Sequence, residues 1–367
     1  MDKDHGLSWI QFTLLIYKTQ VGVGILSAAR ILIDGAGTDG WILVIIGCVI
    51  SILMGGIILA IMRRYPNQTL YDLLEKFLGR WLGKGFIFIW VIYGLLISTY
   101  VVMMTIHLIH IWILPDTKVY LLMLLLIIPI YMITSKGIQL IGRYAEFVFL
   151  VASFLPFLIL FALQDMDWRN FLPILKDGWQ PVLRHIHTVM PFYFGIELAF
   201  IWYPFLRDQK KAFRGMVIAN LLTFFILMIV TIISLLEFSP MEIKRLVWPT
   251  VSLLTFIQFP FLESFEVIVL SLYIYVLLAT LIPYLYVAIF GVQKLVKKNS
   301  VQIGKWTLVF VLAIWLLLAL FQFPSFIKIM QVAPFFEQMG FGMVFGFPIL
   351  FGLIVLVCEW RKKVRSS

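Results

Sequence analysis

Two short stretches carry the groups in this sequence that can do chemistry. The first, YKTQVGVGIL (Tyr17 to Leu26), sets Lys18, Thr19 and Gln20 just ahead of Gly22, Val23, Gly24 and Ile25. The second, MPFYFGIEL (Met190 to Leu198), sets Phe194, Gly195 and Glu197 behind a proline. Both interrupt apolar runs. A helix interrupted in an apolar medium leaves backbone N–H and C=O groups unpaired, at a cost on the order of several kcal/mol each. Gly22 and Gly24 permit unusual dihedrals there and let a ligand approach the backbone closely. A half-helix starting near Ile25 then presents free N–H groups around Val23 to Leu26 and the positive end of its dipole, which suits a carboxylate. Glu197, a carboxylate at the depth of the second interruption, suits a ligand ammonium.

Each of these residues also has a plainer reading. Small residues in apolar helices serve helix–helix packing, and the glycine pair taken alone favours that role. The matching interruption in the second stretch tips the balance toward a ligand site. Glu197 can instead be a structural carboxylate held by a backbone amide or by Lys18. Lys18 has three readings: it occupies the place of a coupling cation, it carries a proton, or it pairs with a carboxylate. Pairing is the simplest, with Glu197 as first partner and Glu266 as second, because a bare central lysine costs about 2.5–3.5 kcal/mol even on the milder insertion scales.

The elements that position these groups follow from composition. Hydrophobic residues make up 62% of the 367 positions, charged residues only 13%, and the mean hydropathy is +1.01. Soluble domains do not reach these values. Apolar runs long enough to cross about 30 Å of hydrocarbon recur along the whole chain. They read as ten spans, at roughly 9–33, 41–62, 86–113, 119–135, 144–164, 184–206, 212–236, 262–290, 304–322 and 334–358. With both termini cytoplasmic, 20 of the 29 lysines and arginines fall in interior segments and 7 in exterior ones, with Lys18 and Arg30 inside the first span. That bias follows the positive-inside rule. The net charge of +10 is therefore a topology signal with anionic lipid as its natural neighbour, and no basic soluble module exists to bind nucleic acid. The leading MDKDHGLS has no basic n-region or cleavage site, so the first span is expected to be retained.

The halves mirror each other. The interruptions fall in spans one and six, the first of each half. A long amphipathic connection, PNQTLYDLLEKFLGRWLGK, follows span two inside, and SPMEIKRLVWPTVSLLTFIQ follows span seven outside. The expectation is an all-α polytopic membrane protein, a single domain over 1–367. It comprises ten transmembrane helices in a LeuT-like 5+5 inverted repeat, approximately 9–164 and 184–358, with helices 1 and 6 broken.

The remaining polar residues are weaker signals. Tyr100 in span three and Tyr273 in span eight are candidates to line the site. Glu263 and Glu266 open span eight, where water at the outer boundary also explains them. The pairs His107/His110 and His185/His187 lack cysteine or carboxylate company at metal spacing, so no metal is expected. Cys48 and Cys358 both fall in apolar spans, which implies no disulfide framework. No P-loop, nucleophile elbow or zinc-protease motif is present, so neither an enzyme nor a cofactor is expected.

Several of these motifs together resemble a known family. GVGIL in span one, DGW at Asp39 to Trp41, FGIE in span six, VWPTVSLL after span seven and LESFE opening span eight are similar to the B subunits of spore germinant receptors. Those subunits form the spore permease family within the amino acid–polyamine–organocation superfamily, and the likeness runs in order over essentially the whole chain. Two departures stand out. SAAR keeps Arg30 but lacks the proline that often precedes it in the family, and Lys18 replaces a residue that is often neutral and polar there. The resemblance implies a ten-helix LeuT-like bundle in the spore inner membrane, assembly with A and C subunits, and sensing of a small nutrient such as an amino acid. Two functions remain open at this point. One is a receptor subunit that passes a ligand-driven signal to partners; the other is a permease that carries an amino acid with a proton.

Overall fold

The computed structural model describes residues 6–163, 167–172, 174–176, 178–257, 264–296 and 301–366. Glu263, read above as opening span eight, lies outside the described residues. Among those residues the chain is helical, and seven segments are long and apolar enough to cross a membrane. The shorter apolar stretches Val119–Thr134 and Ile196–Phe205 accompany them. The protein is an integral membrane protein.

The helices that frame the site are α1 (Trp9–Gln20), α2 (Gly24–Ala36), α3 (Gly40–Arg63), α4 (Leu70–Trp112), α5 (Val119–Thr134) and α6 (Ile138–Ala152). They are followed by α7 (Ala212–Glu237), α8 (Phe265–Leu295), α9 (Val301–Phe321), α10 (Phe326–Phe341) and α11 (Phe347–Ser366). Local sequence sets their starts. Ser8 and Gln11 form a capping box ahead of α1, and Thr69 and Asp72 form another ahead of α4. Gly79, at φ 79°, kinks α4 and separates the amphipathic Leu70–Leu78 end from the apolar remainder.

The most extensive helix–helix contact joins α4 to α8. Gly94 makes it possible, since a Cβ there would stand 2.7 Å from the carbonyl oxygen of Tyr284. Without a hydrophobic drive between helices in lipid, such close approach supplies the dispersion contact that holds a bundle together. α1 packs against α6, α7 and α8. At the other end, Leu7 and Leu206 form an isolated parallel bridge. Leu7 N–H donates to the Phe205 carbonyl at 2.7 Å, and Arg207 N–H donates to the Leu7 carbonyl at 3.0 Å.

Candidate ligand site at two helix interruptions

α1 stops at Gln20 and α2 starts at Gly24. On the carbonyl side α8 supplies the missing donors. The Thr280 hydroxyl lies 2.9 Å from the Lys18 carbonyl and 3.1 Å from that of Val21, and the Tyr273 hydroxyl donates to Gly22 at 2.7 Å. Thr250, on the short helix Pro249–Thr255, donates to the Ile25 carbonyl at 3.1 Å. On the N–H side, Ile25 and Leu26 turn back to the carbonyls of Gly22 and Val23 at 3.3 and 3.1 Å. The N–H groups of Val23 and Gly24 find no acceptor among the described residues. Gly24 is exposed on the wall of a cavity of about 500 Å³. The positive end of α2 therefore faces open space, the arrangement that attracts an anion.

The glycines act differently from the sequence expectation. Neither Gly22 nor Gly24 has a positive φ. They are needed for close approach: a Cβ at Gly22 would stand 3.0 Å from the Thr280 side chain, and one at Gly24 3.2 Å from the Phe192 ring. The unusual dihedral belongs to Gly195, at φ 118°, where a Cβ would also stand 2.9 Å from Thr19. Thus Gly195 presses the second interruption onto the first.

That second interruption runs through single turns. A short α-helix over Ile186–Val189 gives way to 3-10 turns at Met190–Tyr193 and Ile196–Leu198, and α-helix resumes at Ala199–Trp202. Glu197 is fully buried within it. Tyr93 of α4 and Tyr284 of α8 donate to its Oε1 at 2.9 and 2.8 Å, and Gly195 N–H donates to Oε2 at 2.7 Å. The expected ion pair with Lys18 is absent among the described residues. The physical reason is that hydroxyls and an amide already solvate both carboxylate oxygens, so no cation is needed. Lys18 has instead the ring of Tyr17 at 4.7 Å and that of Phe149 at 5.8 Å. Glu266 is half-buried in the first turn of α8 and forms no ion pair with Lys18 among the described residues.

Of the residues singled out from sequence, Thr19, Gln20, Gly22, Val23, Gly24, Tyr100 and Phe194 line the large cavity. Ile25, Tyr273 and Lys18 line a separate, smaller one on the other side of the junction, and Gly195 and Glu197 line neither. Gln20 is held by a buried polar network: its amide nitrogen donates to Asn220 at 3.1 Å and to the Tyr193 carbonyl at 3.3 Å, and Thr223 donates to its oxygen. Ser51 also donates to Asn220, at 2.6 Å. The Tyr100 ring lies 4.8 Å from that of Phe336 of α10, tilted by 37°. Sequence reasoning missed Thr280, Asn220, Thr223 and the Tyr93–Tyr284 pair, as well as Arg30 and Glu337, which bring opposite charges to the cavity wall. The signal for Asn220 and Thr223 was present, as two polar residues inside the apolar run of α7.

The profile of the family described as "Spore germination protein" (Spore_permease) matches residues 6–327. This chain belongs to the spore germination protein family. Among its relatives are the spore germination protein GerQB of Bacillus cereus, 27% identical, with 77% of this chain and 78% of that protein covered. YndE of Bacillus subtilis strain 168 is 28% identical over 83% of this chain and 85% of its own length. Spore germination protein A2 of the same strain is 25% identical over 97% and 96%. Among solved structures, MhsT in complex with L-phenylalanine superposes with a TM-score of 0.66 at 17% identity, covering 94% of this chain and 87% of that one. The chain thus combines spore germination family membership with the fold of MhsT, a LeuT-like protein.

Proposed function

We propose that this chain is the nutrient-sensing membrane subunit of a spore germinant receptor, and that the large cavity holds the germinant. The observation that carries this reading is the exposed N-terminus of α2, with unaccepted N–H groups at Val23 and Gly24 opening into about 500 Å³. The ligand is small and amino-acid-like, with its carboxylate at Val23 and Gly24. Thr19, Gln20, Gly22, Tyr100 and Phe194 shape the pocket around it, with Gly195 behind Thr19 holding the two interruptions together. That MhsT was solved with L-phenylalanine bound supports this ligand class.

In this proposal the chain is one domain over 1–367, with ten spans in a 5+5 inverted repeat and helices 1 and 6 broken at the two interruptions. Both termini are cytoplasmic, the membrane is the spore inner membrane, and A and C receptor subunits receive the signal. Ligand acts by favouring one conformation of the bundle over another. A second reading, a proton-coupled amino acid permease, draws on one observation: Lys18 is buried and has no carboxylate partner among the described residues. Purified protein in proteoliposomes separates the two. Saturable stabilisation by an amino acid without its accumulation supports the sensor, accumulation driven by a proton gradient supports the permease, and neither response to any amino acid overturns the site.

A further inference from the structure

α4 and α10 lie side by side and antiparallel. His107 Nε2 stands 3.0 Å from the Pro324 carbonyl oxygen at one end of the pair, and the Tyr100 and Phe336 rings are 4.8 Å apart further along. On one side of this seam, Val101 and Met104 of α4 and Ala333 and Glu337 of α10 line the large cavity. The other side holds a groove of about 260 Å³. Leu96, Tyr100 and Met103 form one wall of it and Lys328, Val332 and Phe336 the other, each set at the three- and four-residue spacing of a single helix face. Tyr100 and Phe336 line both spaces, so their rings form a partition between the groove and the cavity.

The groove starts at a membrane boundary. Pro324 closes one end of it, in the short connection between the membrane-spanning segments of α9 and α10, and Lys328 sits in the first turn of α10. From Lys328 to Phe336 is about 12 Å along the helix, which carries the groove into the hydrocarbon layer. Val332 in its wall is 47% exposed, and the next face of α10 carries Phe335, 57% exposed, so the space opens toward lipid. Between its ends the walls are apolar apart from the Tyr100 hydroxyl and that of Thr99, which donates to the Leu95 carbonyl at 2.7 Å and accepts from Trp315 at 3.0 Å. A methylene takes about the volume of a water molecule, roughly 30 Å³, so the groove holds roughly eight or nine of them. Lys328 is exposed and forms no ion pair among the described residues. We infer that this groove binds an anionic phospholipid, with its phosphate at Lys328 and one acyl chain between α4 and α10 against the Tyr100–Phe336 partition. An acyl chain gains little by leaving bulk lipid for an apolar groove, so the lysine sets the preference for the head. The site lies outside the large cavity and does not rest on the germinant reading.

The probe is dioleoyl phosphatidylglycerol with a photoreactive diazirine in one chain, added to the purified full-length protein in detergent, with crosslinked peptides mapped by mass spectrometry. Labelling should concentrate on residues 96–103 and 328–336 rather than on the exposed α9 positions Leu317 and Leu320. Unlabelled phosphatidylglycerol should compete about fivefold better than phosphatidylcholine of the same chains, the factor that one lysine near an anionic head supplies. Lys328→Gln should bring the two competitors to parity, and Lys328→Arg should keep the preference. Val332→Trp fills the groove and should abolish labelling of both segments. Leu96→Trp tests the same point from the other wall if Val332→Trp fails to fold. Glycerol phosphate, a head without chains, should not compete. The proposal is overturned if α9 is labelled as strongly as the groove segments, the mark of lipid that merely surrounds the bundle, or if phosphatidylcholine competes equally. It is also overturned if the preference survives Lys328→Gln, if a folded tryptophan variant labels like wild type, or if glycerol phosphate competes.

Discussion

The two interruptions solve one problem in opposite ways. Both leave backbone groups without helical partners, and both must recover those hydrogen bonds inside protein. At the first, donors from another helix cap the carbonyls, and the N–H end stays open to the cavity. At the second, the chain brings its own carboxylate: Glu197 takes the Gly195 N–H and two tyrosine hydroxyls, and neither Gly195 nor Glu197 lines the cavity. A charged residue at an interruption is therefore not by itself a ligand contact. Here the side that offers only backbone is open, and the side that carries the charge is closed.

Breaking the closed side should have the largest effect. Glu197→Ala strands three buried donors at about 1–3 kcal/mol each, so the mutant should accumulate poorly and its unfolding midpoint should collapse. Glu197→Gln should lose less, since an amide oxygen still accepts from the tyrosines, while its ligand affinity stays close to wild type because Glu197 does not line the cavity. A large selective loss of binding in a stable Glu197→Gln protein would move the ammonium contact back to this residue.

On the open side the expectation reverses. Gly24→Val should abolish amino acid stabilisation at a cost of about 1 kcal/mol in stability, because the new side chain stands in the cavity mouth against the Phe192 ring. Gly22→Val meets Thr280 inside the bundle and should lose stability and binding together. Calorimetric binding beside thermal unfolding on both variants separates the two outcomes. Thr280→Val removes the hydroxyl shared by the Lys18 and Val21 carbonyls and should cost about 1–3 kcal/mol for the uncapped groups.

Two smaller effects sharpen the contrast. Lys18→Met and Glu197→Gln have no shared partner, so the double variant should equal the sum of the singles within about 0.5 kcal/mol. Coupling beyond that would restore the ion pair read from the sequence. Val247 is 42% exposed and lines the large cavity, so a cysteine there should react with a membrane-impermeant thiol reagent from outside and be protected by ligand. Labelling from the cytoplasmic side alone would invert the proposed topology.

How much of this was legible follows from which interactions are local. The polar run Lys18–Gln20 with two nearby glycines marks the junction of α1 and α2, because membrane helices rarely spend polar residues without cause. The end of α1 and the exposed start of α2 are local properties of that stretch. The partners are not. Thr280 lies some 260 residues beyond the carbonyls it caps, in a helix whose sequence reads as ordinary apolar span. Tyr93 and Tyr284 carry no local mark that distinguishes them from other bundle tyrosines. Pairing Lys18 with Glu197 was an inference from the cost of a bare lysine and from the place of Glu197 in the matching interruption. It failed because hydroxyl and amide donors can solvate a carboxylate as completely as a lysine can.

The bridge between Leu7 and Leu206 makes the start of the chain a mechanical element. Its two backbone hydrogen bonds tie the residue just ahead of α1 to the far end of the segment that contains Glu197. A displacement of Leu7 is thus delivered to both interruptions at once. It acts along one as a pull on a helix and across the other as a shear on two backbone hydrogen bonds. Leu7 is therefore a handle on both interruptions, tied by backbone hydrogen bonds.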